Sequence, residues 1–252
     1  MTTLFDAVIF LSFGFLGGFL GSVLGVGGGS LMTPLLLLAG YDILTAVPAS
    51  LLAIVGTSIG GLYVYEERNL INYEFAIYAE AVTIPGSITG VMIATAGFER
   101  IMRLTLAAVL VVISMSMART AVLKQAAASS SRAKRRPVIG FTAMYAAGLV
   151  SALAGIGGGI LKVPVLNRLL GIDVKEAVAT SKLMVGITGA ASALGYYASG
   201  YMNSCLALSL LAGSLVGGLA GSSTGVRLSG RAITVAFSIF LAVMAVVVVV
   251  RG

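Results

Sequence analysis

Two glycine runs inside apolar sequence are the residues with the clearest potential for binding chemistry. They are Gly27, Gly28, Gly29, Gly157, Gly158 and Gly159. Pro34 and Pro164 follow the two runs at equal spacing, and glycine and proline both weaken a helix. A helix that begins directly after such a break presents backbone N–H groups and the positive end of its dipole. The two runs therefore predict one anion site built from two broken helices.

Four polar side chains near these runs are candidates for the same site: Ser50, Lys162, Ser181 and Lys182. The lysines would add positive charge near the helix ends, and the serine hydroxyls would donate hydrogen bonds to anion oxygens. Three of these side chains also have an ordinary structural explanation. Lys162 could extend toward a membrane interface, and the serines could bond back to a helix carbonyl.

Glu80 is the acidic residue placed deepest in an apolar segment. A carboxylate at membrane depth needs a partner or a water-filled cavity, because an unpaired charge there is costly. We expect Glu80 either to pair with Lys182 or to carry a proton.

The composition places the chain in a membrane. Of its 252 residues, 58% are hydrophobic and 10% are charged, whereas soluble domains carry about 25% charged residues. We predict apolar helices at 4–24, 30–39, 43–65, 73–97, 101–123, 137–153, 160–170, 174–198, 203–226 and 231–250. The fold class is therefore an all-α integral membrane protein with about 8–10 transmembrane segments. The second and seventh of these predicted helices, 30–39 and 160–170, are shorter than the roughly 20 residues that a full span requires.

The two halves of the chain are related by an internal repeat. Gly29 pairs with Gly159, and Ser50 pairs with Ser181. Further pairs are Gly40 with Gly171, Asn72 with Asn203, Gly86 with Gly217 and Arg100 with Arg231. We divide the chain into an N-terminal repeat (1–123), a basic linker (124–136) and a C-terminal repeat (137–252). Duplication of this kind is the usual plan of secondary transporters.

The basic residues indicate how the repeats are oriented. The linker contains Lys124, Arg132, Lys134, Arg135 and Arg136. With the linker in the cytoplasm, most other basic loop residues fall on the same side only if the second repeat is inverted. This arrangement places both termini outside a cytoplasmic membrane, and the GxxxG-type ridges leave room for a homodimer face.

Several function classes find no support. The net charge of +7 comes largely from the linker, and a basic cluster beside membrane helices indicates topology rather than nucleic-acid binding. The chain has no histidine and one cysteine, so we expect no metal site, no cofactor and no catalytic residues. Asn72, Asn203, Asp42 and Asp173 are best interpreted as helix caps.

The glycine motifs resemble those of a known family. The stretches GVGGGSLMTP (25–34) and AVPAS (46–50) look like the first-half signature of the sulfite exporter TauE/SafE family. The stretches GIGGGILKVP (155–164) and AVATS (177–181) look like its second-half signature. The resemblance covers nearly the whole chain. It implies a transporter of sulfite, sulfonates or related small anions that is driven by the proton motive force.

The predicted function is thus export of a small anion across the cytoplasmic membrane by alternating access, with proton coupling. Two alternatives are an uncoupled anion channel that uses the same glycine sites and a cation/proton exchanger that uses Glu80. A membrane-embedded enzyme ranks last, since the sequence offers no obvious reactive cluster.

Overall fold

Ten α-helices account for nearly all of the described chain. The computed structural model describes residues 4–23, 28–67, 69–122, 137–225 and 231–250, and no strand occurs in these ranges. The helices are α1 (Leu4–Val23), α2 (Gly29–Leu38), α3 (Ile43–Glu66), α4 (Tyr73–Thr95), α5 (Glu99–Val122), α6 (Pro137–Ala154), α7 (Gly159–Pro164), α8 (Val174–Ala198), α9 (Ser204–Gly225) and α10 (Arg231–Val250). A π-helical turn, Val165–Leu169, continues α7. These bounds confirm the predicted all-α fold and follow the predicted apolar segments closely.

The long helices have the length and composition of membrane spans. Five of the described helices contain an apolar window of 18 residues or more, namely α3, α4, α5, α8 and α9. Shorter apolar stretches lie at Ala7–Val23, Gly29–Leu38, Val138–Ala154 and Ser238–Val248. The chain is therefore a multi-pass membrane protein, in which α2 and α7 are too short to cross a bilayer alone.

Polar side chains fix where several helices begin. Asn72 Oδ1 accepts a hydrogen bond from the Phe75 N–H at 2.9 Å at the start of α4. Asp173 Oδ1 accepts one from Lys175 N–H at 2.9 Å at the start of α8. Asn203 accepts one from Leu206 N–H at the start of α9. These contacts confirm three predicted caps, whereas Asp42 precedes α3 without a side-chain cap bond.

The helices pack in reciprocal pairs across the two halves of the chain. Helix α1 packs on α9, and α6 packs on α4; α3 contacts α9, and α8 contacts α4. Helices α3 and α8 also pack together, as do α5 and α10. Because the sequence repeat relates α1 to α6 and α4 to α9, each contact has a counterpart in the other half. The inverted orientation of the repeats and the cytoplasmic position of the linker stay predictions, and the linker lies outside the described residues.

Glycine ridges allow α1 and α9 to approach closely. A Cβ atom on Gly213, Gly217 or Gly221 would collide with a carbonyl oxygen of α1, and one on Gly14 or Gly18 would collide with the backbone of α9. Similar contacts join α4 to α6. The ridges therefore serve close packing inside the chain, as expected for small residues in membrane helices. A homodimer would need another surface, and it stays a prediction.

Candidate functional site

The described part of the first glycine run lies against the second run. Helix α2 begins at Gly29 and α7 begins at Gly159, the last glycine of each run. A Cβ atom on Gly29 would collide with the Gly155 carbonyl oxygen, so the first break lies against the second. Gly157 and Gly158 have φ angles of +78° and +69°, which favour glycine. The predicted residue Gly27 lies outside the described residues.

A small cavity of about 30 Å³ lies between the starts of the two short helices. This volume holds roughly two water molecules. Its described lining residues are Ser22, Gly28, Ile54, Thr57, Ser58, Tyr65, Gly159, Val178, Ser181, Lys182 and Val185. Four of the predicted site residues therefore meet in one cavity: Gly28, Gly159, Ser181 and Lys182.

Lys182 gives the cavity its positive charge. Its ammonium group donates a hydrogen bond to Ser22 Oγ at 3.2 Å, and no carboxylate occurs among the described lining residues. Among the ion pairs that the described ranges contain, none involves Lys182. The other polar side chains of the lining are hydroxyls, which can donate to an anion. The arrangement suits a negatively charged or oxygen-rich solute.

Gly61 and Ser222 lie beside this ammonium group. A Cβ atom on Gly61 would come within 2.5 Å of Lys182 Cε, 3.3 Å of its Nζ and 3.2 Å of Ser222 Oγ. Within the described part of the chain, Ser222 Oγ is buried and makes no hydrogen bond. The absence of a side chain at Gly61 therefore leaves room for both polar groups.

Lys162 lies outside the cavity, in a buried ion pair with Glu80. Its Nζ donates to Glu80 Oε1 at 2.7 Å, and the two side chains are 0% and 4% exposed. The same ammonium donates to the Met184 carbonyl at 3.0 Å and to Thr188 Oγ1. Thr188 Oγ1 in turn donates to Glu80 Oε2 at 2.7 Å. Glu80 thus pairs with Lys162 and not with Lys182.

The ammonium group of Lys162 has no unused hydrogen-bond donor in this network. An ammonium group has three N–H donors, and all three of Lys162 have acceptors. The snorkelling alternative for Lys162 does not describe the structure, because its side chain points into the protein. The network connects α7, α4 and α8.

Ser50 also lies outside the cavity and connects the two repeats. Its Oγ is 2.9 Å from the Gly155 carbonyl oxygen and 2.6 Å from Thr33 Oγ1. Thr33 Oγ1 lies 3.2 Å from the same carbonyl. Its repeat mate Ser181 donates to the Val178 carbonyl within its own helix, at 2.9 Å. The two serines, which the sequence treats as equivalent, therefore have different surroundings.

Sequence reasoning missed three polar residues near Lys182: Ser22, Tyr65 and Ser222. Tyr65 lies near the end of an apolar segment, where a tyrosine is usually explained as an interface anchor. Ser22 and Ser222 follow glycine ridges, where a serine is usually explained by packing. No local feature of the sequence therefore distinguishes these two serines from packing residues.

No cluster of acidic or sulfur ligands offers a metal site within the described ranges. The buried Glu80 is engaged by Lys162 and Thr188, and Glu176 accepts a hydrogen bond from Asn72 Nδ2 at 2.7 Å. These acidic side chains connect helices to one another.

Comparison with known proteins agrees with this architecture. The chain is 24% identical over 271 residues to "Probable membrane transporter protein YunE" of Bacillus subtilis, covering 97% of this chain and 98% of the relative. It is 29% identical over 254 residues to "Probable membrane transporter protein" of Haemophilus influenzae, covering 92% and 94%. No solved structure matches the chain.

A family model covers the part of the chain that contains both glycine breaks, the cavity and the buried ion pair. The match runs over residues 10–248, and the family is described as "Sulfite exporter TauE/SafE". The chain is therefore a membrane transporter that belongs to the TauE/SafE sulfite exporter family.

Proposed function

We propose that the protein is a secondary transporter that moves a small anion, such as sulfite or an organosulfonate, across the cytoplasmic membrane by alternating access. The observation that carries this proposal is the cavity between the two glycine breaks, which contains Lys182 and no carboxylate among its described lining residues. An intramembrane ammonium without an acidic partner is costly unless a solute or water balances it.

The donors around the cavity suit an oxyanion. Gly28 and Gly159 lie at the starts of α2 and α7, where first-turn N–H groups and the helix dipole favour negative charge. Ser181 and Thr57 add hydroxyls, and Lys182 adds a charge-assisted hydrogen bond. Sulfite and sulfonates expose several acceptor oxygens that such donors can share.

The small volume of the cavity supports a conformational change. A space for about two water molecules must widen to admit even a compact oxyanion. An uncoupled channel would instead need a continuous open path. A cation/proton exchanger based on Glu80 fits less well, because Lys162 already neutralises that carboxylate.

The proposed direction is export. A membrane potential of about −100 mV inside favours the outward movement of a lone anion by roughly 2.3 kcal/mol per charge. Coupling to the proton motive force would use Glu80, the buried carboxylate nearest the cavity in the structure's described part. The topology that accompanies this proposal keeps the linker 124–136 in the cytoplasm and both termini outside.

The test is sulfite binding to the purified protein and its variants. Lys182→Met should weaken binding by about tenfold to a hundredfold, because a hydrogen bond to a charged group contributes about 1.5–3 kcal/mol. Lys175→Met is the matched control, since it removes an exposed lysine from the first turn of the same helix. Unaltered affinity in Lys182→Met would exclude this residue from the site.

Vesicle flux separates the transporter from a channel. Sulfite flux through the reconstituted protein should respond to an imposed pH gradient and should saturate with sulfite concentration. Flux that ignores the gradient and runs at channel-like rates would contradict the proposed coupling.

A further inference from the structure

The two repeats differ most clearly at the buried pair of Lys162 and Glu80. The repeat mate of Lys162 is Met32, and the mate of Glu80 is Leu211. Met32 packs in an apolar cluster with Leu206 and Leu210 of α9. The first repeat thus has an apolar side chain where the second has a charge, and its short helix is held by this apolar cluster and by the hydrogen bonds of Thr33.

An ion pair is therefore not needed to pack a short helix at this position. Replacing a buried ion pair by apolar residues of similar size is often neutral or stabilising, because desolvation offsets much of the electrostatic attraction. The second repeat nonetheless buries both charges almost completely. Packing alone does not account for the pair.

The pair lies one helical turn from the cavity along two helices. Gly159 and Val185 line the cavity, and Lys162 and Thr188 each follow three residues later on the same helices. Residues three apart share a helix face. A change of charge at the pair, one helical turn away, therefore acts on the cavity electrostatically.

From these observations we propose that Glu80 is the site that binds a proton together with the transported anion, and that Lys162 is the charge which this proton exposes. The inference rests on the proposed anion transport. In this proposal the Glu80 carboxylate takes up one proton while Lys162 keeps its own, so the neutral pair becomes a pair of net charge +1. The exposed positive charge then attracts the anion in the cavity beside it.

Few other charged groups in the described ranges face this pair. Helix α6 carries no charged residue in Pro137–Ala154, and its Tyr145 hydroxyl is bonded to Thr89. On α8, Lys182 lies in the cavity and Glu176 bonds Asn72. The remaining charged side chains of the packed helices lie toward helix ends: Glu66, Glu74, Glu99, Arg100, Arg103, Arg119, Arg168 and Lys175.

Binding of proton and anion is then mutually reinforcing. By linkage, a proton that strengthens anion binding is itself bound more tightly when the anion is present. A monovalent anion and one proton would cross together without net charge. The membrane potential would then no longer favour export, so an outward anion gradient larger than the inward proton gradient would be needed to keep the proposed direction.

The first experiment measures anion affinity at neutral and mildly acidic pH. The probe is methanesulfonate, whose single negative charge is constant over this range, unlike the charge of sulfite. The wild-type protein should bind it roughly tenfold more tightly at acidic pH, within the usual range of coupling between sites. Glu80→Gln imitates the protonated carboxyl and should show the tighter affinity at both pH values.

Two further variants isolate the pair. The double variant Lys162→Met/Glu80→Leu copies the first repeat and should bind with one affinity at both pH values. Glu74→Gln removes an exposed carboxylate from the first turn of α4 and should keep the pH dependence of the wild type. A double variant that retains the wild-type pH dependence would overturn the inference.

The second experiment does not depend on transport. Infrared difference spectra between neutral and acidic pH should contain the carbonyl band of a protonated carboxyl group that disappears in Glu80→Gln and persists in Glu74→Gln. If this band is the same in Glu80→Gln and the wild type, Glu80 takes up no proton and the inference fails. If the band behaves as expected but the wild type binds no methanesulfonate or sulfite, the proposed substrate class fails instead.

Discussion

Exchanging Ser50 for alanine should destabilise the protein, whereas the same exchange at its repeat mate Ser181 should not. Ser50 is fully buried and can donate to the Gly155 carbonyl at 2.9 Å or the Val47 carbonyl at 3.0 Å, with the Thr33 hydroxyl at 2.6 Å. Alanine removes one donor and one acceptor from this cluster. Thr33 can still donate to Gly155 at 3.2 Å, so the carbonyl keeps a partner.

The expected loss is therefore that of one to two hydrogen bonds, or about 1–2 kcal/mol in the free energy of unfolding. Adding Thr33→Val, which copies Val163 of the second repeat, leaves the Gly155 carbonyl without either hydroxyl. A buried carbonyl without a donor costs about 1–3 kcal/mol. The double variant should therefore lose roughly 2–4 kcal/mol.

Unfolding by sodium dodecyl sulfate in mixed micelles, followed by circular dichroism, measures these losses, and methanesulfonate titration measures binding. Ser181→Ala should change stability by less than about 0.5 kcal/mol, because its hydroxyl bonds within its own helix. It should weaken anion binding about twofold to tenfold, since Ser181 lines the cavity. Equal destabilisation by the two exchanges, or weakened binding in Ser50→Ala alone, would refute this reasoning.

Three further exchanges test other parts of the structure. Gly61→Ala should displace the Lys182 ammonium group and weaken methanesulfonate binding, measured by calorimetry, about tenfold. The control Gly195→Ala, whose added methyl group meets only a valine side chain, should leave binding unchanged. Lys162→Met should lower the unfolding free energy by about 3–5 kcal/mol, because it leaves a buried carboxylate without its partner. Adding Glu80→Leu should restore most of this loss. Additive losses in this double-mutant cycle would contradict the ion pair. Gly217→Leu should cost more than about 3 kcal/mol by separating α1 from α9, seen as loss of a monodisperse peak in gel filtration.

Local signals made the helix boundaries predictable. Glycine runs ended one helix and began the next at Gly29 and Gly159, and Asn72 and Asp173 satisfied the first N–H groups of their helices. Each of these features depends on backbone geometry within a few residues, so the sequence contains the necessary information. The meeting of the two breaks also followed, because a repeat places equivalent segments at equivalent positions.

The partners of the polar side chains were harder to predict. Ser50 and Ser181 have similar neighbours in sequence, yet only Ser50 is seen to reach a carbonyl of the opposite repeat. Glu80 on α4 pairs with Lys162 on α7 and not with Lys182 on α8, and which lysine it faces is set by how each helix is rotated about its axis. Helix rotation depends on packing between distant segments. A helix with apolar residues on all its faces carries little sequence information about which face is turned inward.

The interlocked glycine faces have a consequence for the origin of the protein. The α1 face is covered by α9, and the α4 face is covered by α6, so each half supplies the surface that the other half lacks. A chain of only half this length would leave backbone-lined furrows open to lipid. In the predicted duplication, a half-length ancestor would therefore have closed those furrows with a second molecule of itself. The covalent linker would then have turned an encounter between two chains into a fold that assembles at any concentration.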